Sequence, residues 1–137
     1  MIKRVVIESP FMGTSEDPIK KLEETRRNIR YARACVTDSL RRGETNFASH
    51  LYFTQPGVLD DNVPEDRKRG IDAGLEITRD FDLTAVYTDL GISKGMTYGI
   101  ERAKTLGRLV EERQLGENWE EEYEKRAKTH SHNGLFA

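Results

Sequence analysis

The sequence predicts an α/β protein: a three-layer Rossmann-like or flavodoxin-like domain with a small parallel sheet flanked by helices. Two observations support this fold class. Short apolar segments alternate along the chain with longer segments of helical periodicity, and that alternation is typical of parallel sheets with right-handed crossovers. The length of 137 residues is sufficient for one domain with a buried core.

The first half of the chain predicts two strands and one long helix. Lys3–Ile7 has the apolar residues V-V-I at its centre, as expected of a buried strand. An aspartate followed by proline then suits the start of a helix over Pro18–Arg42, which is either continuous or divided near Asn28. The single cysteine, Cys35, lies on this helix, where a small core residue is a more common role than a reactive thiol. Asn46–Leu51 is the second strand candidate.

The second half predicts two more strands and two more helices. A long loop leads to a helix that begins at Pro64, with acidic residues in its first turn. Leu83–Tyr87 is short, largely apolar and bounded by polar residues, as expected of a strand buried on both faces. A glycine-containing loop then leads into a helix starting near Ser93. Gly107–Glu111 completes the predicted sheet.

The last part of the chain differs in character. It is acidic and then basic, and Trp119 and Tyr123 are four residues apart, so they share one helical face. We expect an amphipathic helix that docks on the body of the protein or on a second subunit. The sequence therefore divides into an α/β domain over residues 1–113 and a C-terminal helix and tail over residues 114–137.

Composition and charge exclude several classes of protein. Charged residues make up 34% of the chain, but the formal net charge is only −2. Modules that bind duplex nucleic acid usually carry a basic stripe, so such a partner is not expected. No apolar run is long enough to span a membrane, and the first residues lack the apolar core of a signal peptide. We expect a cytoplasmic protein without a membrane partner.

Neither a metal nor a cofactor is expected from the motifs. His130 and His132 lie in a terminal segment, residues 129–137, that is predicted to be loosely ordered, and no cysteine or third histidine there completes a ligand set. Asp60 and Asp61 leave a cation site open, although aspartates are common in loops. The chain has neither a G-x-G-x-x-G segment after the first strand nor a P-loop, which argues against a dinucleotide cofactor or triphosphate hydrolysis.

The topology predicts where a ligand binds. In open α/β sheets, ligands bind beyond the carboxyl ends of the strands, and long loops there are often functional. Three segments follow the first three predicted strands and should converge. We expect the ligand to contact residues in two of these segments: Ser9, Pro10, Phe11, Ser93, Lys94, Gly95 and Met96.

Two residues in these segments are candidates for catalysis. Asp89 lies just beyond the third strand, where a carboxylate either binds ribose hydroxyls, acts as acid or base, or caps local backbone N–H groups. His50 follows the second strand and is either a general base, a neutral hydrogen-bond donor or a structural residue. We favour a functional role for Asp89 because topology predicts the site independently.

The same segments carry a family resemblance. They read E-S-P-F after the first strand, A-S-H-L-Y-F-T-Q around the second, and V-Y-T-D-L-G-I-S-K-G-M-T-Y-G-I-E-R-A followed by G-R-L-V-E-E-R. Over roughly residues 3–113 the chain resembles the nucleoside 2-deoxyribosyltransferase-like superfamily, and most closely small phage and bacterial domains within it. The resemblance implies a Rossmann-like fold, attack at the anomeric carbon of a nucleoside, a homo-oligomer and, for a phage protein, the host cytoplasm.

The resemblance also assigns roles to individual residues. Asp89 is similar to the strand-end aspartate of the superfamily, and residues 93–96 to its ligand-cradling turn. The catalytic glutamate of the transferases falls at Gly99, and glycine cannot be a nucleophile. Glu101 lies two residues on, about 200° around the helix, and so is expected to face away. The usual nucleophile is therefore missing.

These observations predict binding of a nucleoside, nucleotide or related ribosyl compound. They leave open whether the protein converts this ligand or only binds it. If the chain is an enzyme, it cleaves or transfers an N-glycosidic bond without a covalent glycosyl-enzyme intermediate, as an N-glycosidase or deoxyribosyltransferase-like hydrolase. Otherwise it is a non-catalytic phage protein that sequesters a nucleotide, or an interaction module that uses the Trp119 helix.

Overall fold

The computed structural model of the protein describes residues 1–133 and confirms the predicted fold class. Its strands are all parallel, in the order β2-β1-β3-β4, and helices flank the sheet as in flavodoxin-like and Rossmann-like domains. The elements in chain order are β1 (Arg4–Glu8), α1 (Pro18–Arg41), β2 (Thr45–Phe47), α2 (Ser49–Tyr52), α3 (Pro64–Ile77), β3 (Leu83–Tyr87), α4 (Lys94–Thr105), β4 (Leu109–Arg113) and α5 (Trp119–Asn133).

The main hydrophobic core lies between the sheet and α1. Successive residues of a strand point to opposite faces of a sheet, so every second residue of β1 and β3 packs against this helix. Cys35 is fully buried there, as predicted for a core residue. The core residues contributed by the two strands and α1 are Val5, Ile7, Leu83, Ala85, Tyr87, Tyr31 and Cys35. Val6 and Glu8 of β1 line a cleft outside this core.

The predicted second strand over Asn46–Leu51 is wrong in its second half. Only Thr45–Phe47 pairs with β1, and Ser49–Tyr52 forms a single helical turn. The amide of Tyr52 bonds the carbonyl of Ala48, and the ring of Tyr52 packs 5.7 Å from that of Phe47. Local aromatic packing thus turns the chain back where the pairing with β1 ends, which leaves β2 a short edge strand.

The structure decides between the two alternatives for α1 and corrects the start of β4. α1 is continuous through Asn28, whose buried side chain donates a hydrogen bond to the carbonyl of Phe11 at 2.9 Å. β4 begins at Leu109, two residues later than predicted, because Gly107 has a positive φ of 71° and closes the turn after α4. Asn28 therefore holds a loop in place rather than breaking a helix.

α5 docks on α1, as predicted for an amphipathic helix packed on the body of the protein. The ring of Trp119 meets the ring of Tyr31 edge-on, with centroids 5.0 Å apart. Arg30 of α1 forms an ion pair with Glu120 at 2.9 Å. The helix continues to Asn133, so the first part of the predicted loose tail is helical. Residues 134–137 lie outside the described residues.

A helix that spans a membrane must be both long and apolar. Within residues 1–133, no helix combines the necessary length and apolar character.

A buried ion pair ties the end of β4 to the start of β2. The side chain of Arg113 is only 3% exposed, and that of Glu44 is 11% exposed. The two guanidinium nitrogens bond both oxygens of Glu44 at 2.7 and 2.8 Å, and one of them also donates to the hydroxyl of Tyr87 at 3.2 Å. These bonds to Arg113 lower the pKa of Glu44.

We predict that Arg113→Met lowers the free energy of unfolding by about 3 kcal/mol, because it leaves Glu44 buried without its partner. Arg79→Met is the matched control, since the Arg79–Glu76 pair is exposed and its loss should cost less than about 1 kcal/mol. Urea denaturation at pH 7 measures both. Because folding lowers the pKa of Glu44, the pair's stabilisation should be lost as pH falls through that folded pKa. Equal losses in the two variants would contradict the assignment.

Candidate functional site

A cleft of about 880 Å³ lies beside β1, between α3 and α4. It opens at the carboxyl edge of the sheet, and its walls include Val6 and Glu8 of β1, the loop after β1, α2, and the first turns of α4. The sheet order places β1 next to β3, while the chain leaves β1 toward β2 and leaves β3 toward β4. The cleft therefore lies at the topological switch point, where open α/β sheets bind ligands.

The structure brings most of the residues predicted from the sequence to this cleft, and leaves two outside it. Asp89 does not line the cleft, and neither does Pro10, which is buried within the loop after β1. The predicted residues that do line it are Ser9, Phe11, His50, Ser93, Lys94, Gly95 and Met96.

The closest approach in the cleft is between β1 and α4. A Cβ atom added to Gly99 would lie 2.1 Å from Oε2 and 2.4 Å from Cδ of Glu8, well inside van der Waals contact. The carboxyl group of Glu8 therefore occupies the space into which a side chain at position 99 would extend. Glycine in a helix interior costs about 1 kcal/mol relative to alanine, and here it leaves room for the Glu8 carboxyl group, which a larger residue would displace.

The environment of Glu8 favours its protonated form. Burial raises the pKa of Glu8 to about 8, against a smaller opposing effect of the positive charge on Arg108. Near neutral pH the carboxyl group is therefore mostly neutral and able to donate a proton, as a general acid does. Strongly shifted pKa values in a cleft are a recognised sign of a functional site.

Ser9 and His50 form a second polar pair in the same cleft. The Oγ atom of Ser9 lies 2.7 Å from Nε2 of His50, and the two share a hydrogen bond. Burial lowers the pKa of His50 to about 4, so the imidazole is neutral at pH 7. The pair can orient a ligand hydroxyl or a water molecule, whereas His50 is a weak base. The general-base role considered for His50 stays a prediction.

The first turn of α4 forms one end of the cleft. Ser93 is the N-cap, and its Oγ accepts a hydrogen bond from the amide of Met96 at 3.3 Å. This cap fixes the direction of the helix. Met96 is almost fully buried, and Lys94 and Gly95 also line the cleft.

The loop after β1 is held against α1, which fixes the position of Ser9. The amide of Gly13 donates a hydrogen bond to Oγ1 of Thr25 at 2.9 Å, and the amides of Thr14 and Ser15 both bond Glu24. A Cβ atom at Gly13 would lie 2.4 Å from the carbonyl oxygen of Lys21. Only glycine permits this approach, so the loop has one tightly constrained path.

Asp89 lies on the α1 side of the sheet, in a network of hydrogen bonds. Its Oδ1 accepts from the hydroxyl of Tyr31 at 2.5 Å and from the amide of Leu115 at 2.9 Å, and its Oδ2 accepts from the amide of Gly116 at 3.1 Å. Partial burial acts to raise the pKa of Asp89, but these bonds outweigh it and lower the pKa. Asp89 thus ties the end of β3 to the loop before α5. Its catalytic role stays a prediction.

Five charged residues of the cleft were not named as site candidates from the sequence: Glu8, Asp66, Arg67, Arg102 and Arg108. Glu8 could have been found from the sequence, because a glutamate at the end of an apolar strand lies next to the expected ligand site. Its importance depends on Gly99 lying opposite, however, and only the three-dimensional packing shows that contact.

The sequence also raised the questions of a metal site and of a homo-oligomer. Among residues 1–133, no cluster of three or more His, Cys, Asp or Glu side chains is arranged to hold a metal ion. Asp61 instead forms an ion pair with Arg67 at 3.0 Å. The structure describes one chain, so the expected homo-oligomer stays a prediction.

The fold and the cleft define a small flavodoxin-like α/β domain with its cleft at the switch point of the sheet. Residues 3–113 match the family described as a domain of unknown function, DUF7768. The match covers most of the chain, which therefore belongs to this family. The comparison with curated proteins found no significant match. The matched region ends at the last residue of β4 and does not include α5.

We predict that Asp89→Ala lowers the free energy of unfolding by about 2 kcal/mol, because charge-assisted hydrogen bonds to Tyr31 and two backbone amides are lost. Trp119 is the only tryptophan, so its fluorescence reports on the same region. A red shift in the folded state would show that α5 loosens.

Asp80→Ala is the control for this experiment, because Asp80 is exposed and Arg4 bonds its backbone carbonyl rather than its carboxylate. Unchanged stability and unchanged emission in Asp89→Ala would show that the carboxylate does not hold this loop.

Proposed function

We propose that this protein binds a nucleoside, nucleotide or related ribosyl compound in the cleft and hydrolyses its N-glycosidic bond, with Glu8 as the general acid. The observation that carries the proposal is the contact between Glu8 and Gly99. The resemblance to the nucleoside 2-deoxyribosyltransferase-like superfamily requires a carboxyl group at position 99. In this chain β1 supplies a carboxyl group beside position 99, that of Glu8.

The dimensions and lining of the cleft agree with such a ligand. Pockets for small molecules measure roughly 300–1,000 Å³ and combine apolar walls with a few convergent polar groups, and this cleft has about 880 Å³. Phe11 offers an aromatic face for a base, while Ser9, His50 and Ser93 are polar. A ribosyl compound needs both kinds of contact.

The reaction follows from the protonation state of Glu8. Its carboxyl group donates a proton to the base nitrogen as the bond from that nitrogen to the anomeric carbon breaks. A water molecule attacks the anomeric carbon, and the proton that this water releases restores the acid. The net reaction consumes one water and yields free base and sugar. No bond forms between protein and sugar, as expected for a chain without a nucleophile at Gly99.

The alternative is a protein that binds the same ligand and does not turn it over. Ligand binding without release of base, by a wild-type protein that is fully folded, would favour this sequestering role. Loss of function on removing residues 114–137, with ligand binding intact, would favour an interaction module.

We predict that wild-type protein releases free base from a panel of nucleosides and nucleoside 5′-monophosphates, as detected by chromatography. Glu8→Gln should reduce the rate by at least about 100-fold, the usual contribution of a general acid. Gly99→Ala should have a similar effect because its Cβ displaces the carboxyl group. The wild-type rate should fall as pH rises above about 8, where Glu8 loses its proton.

Glu101→Gln is the matched control, because Glu101 lies on the same helix as Gly99 but is exposed and paired with Lys104. It should retain the wild-type rate. Base release by Glu8→Gln at the wild-type rate, or a covalent sugar adduct found by mass spectrometry, would overturn the mechanism.

A further inference from the structure

The charges that line the cleft do not balance. Asp61 is paired with Arg67 at 3.0 Å, and Asp66 contacts Arg69 at 3.7 Å. The other acidic residue of the lining, Glu8, is mostly protonated near neutral pH. The basic residues left over in the lining are Lys94, Arg102 and Arg108.

Arg108 lines the cleft and is hydrogen-bonded to neutral groups. Its guanidinium donates to the carbonyl of Phe81 at 3.2 Å, to Oγ1 of Thr84 at 3.2 Å and to the carbonyl of Thr78 at 2.5 Å. These acceptors fix the position of the guanidinium without neutralising its charge. Burial lowers the pKa of Arg108 and the nearby charge of Arg102 lowers it further, against a smaller opposing effect of Glu8, so the two cations lie within electrostatic range of each other.

Arg102 has an unused hydrogen-bond donor. Its Nε is buried and has no hydrogen-bond partner within the described part of the chain. Arg27 and Arg30 share that property, but neither lines the cleft. Arg102 is three residues beyond Gly99 on α4, so the two share a helix face. Helical side chains lean toward the N-terminus, which directs Arg102 toward the Glu8 contact.

We propose that Arg102 and Arg108 form an anion subsite that binds a phosphate group of the ligand. This inference rests on the proposed function and narrows its substrate class: the preferred ligand is a phosphorylated ribosyl compound, such as a nucleotide, rather than a nucleoside. Guanidinium groups bind phosphate oxygens with paired N–H donors in a planar geometry. A bound phosphate would use the free donor of Arg102 and relieve the repulsion between the two cations.

The test measures binding by calorimetry with three probes: ribose 5-phosphate, ribose and inorganic phosphate. Wild-type protein should bind ribose 5-phosphate at least about 10-fold more tightly than ribose, and inorganic phosphate should compete with it. Arg102→Gln should abolish this preference without changing the affinity for ribose. Arg102→Lys keeps the charge and should retain most of the preference.

Lys104→Gln is the matched control, because Lys104 lies on the same helix but its side chain is 64% exposed. It should bind ribose 5-phosphate as the wild type does. Equal affinities of wild type for ribose 5-phosphate and ribose would overturn the proposal. An Arg102→Gln variant that melts like the wild type and keeps the preference would also overturn it.

The binding test is independent of base release. Phosphate-dependent binding that requires Arg102, without release of base from any nucleotide, would support the subsite and reject the proposed hydrolysis. Release of base from nucleosides and nucleotides at equal efficiency would reject the subsite and leave the hydrolysis intact.

Discussion

The carboxyl group of Glu8 lies where a side chain on position 99 would begin, and this contact determines how the cleft is built. Glycine in the middle of α4 leaves room for this carboxyl group, and the contact places a titratable group at the carboxyl edge of the sheet. The same closeness removes water from the carboxyl group and so raises its pKa. The close packing of α4 against Glu8 therefore also accounts for the raised pKa of this residue.

Residues on the α1 face of the sheet mainly stabilise the fold, and residues on the opposite face line the cleft. On the α1 face, Tyr31 links the hydrophobic core to Asp89 and to Trp119 of α5, and a buried ion pair joins β4 to β2. On the opposite face, α4 and the cleft carry a neutral acid, a neutral histidine and the cations Lys94, Arg102 and Arg108. Such unbalanced groups cost stability, and they are common where a protein binds a ligand.

The sequence predicted those features that depend on local pattern. Leu83–Tyr87 is a buried strand because apolar residues occupy both faces, and the Ser93 cap follows from side-chain chemistry. The strand predicted over Asn46–Leu51 was wrong in its second half because the packing of Tyr52 on Phe47 turns the chain into a helical turn after β2. Asp89 was correctly expected at a strand end, but which face its side chain joins is decided by Tyr31, 58 residues away in the sequence.

The protonation state of Glu8 is the central claim, and a ¹³C NMR titration of the glutamate carboxyl groups tests it most directly. The account predicts one carboxyl signal in the wild type that titrates near pH 8 and is missing in Glu8→Gln. Folding holds this proton more tightly than the unfolded chain does, so stability should also decline as pH rises from about 4.3 toward that value. A wild-type protein in which every glutamate titrates near its ordinary pKa would contradict the account.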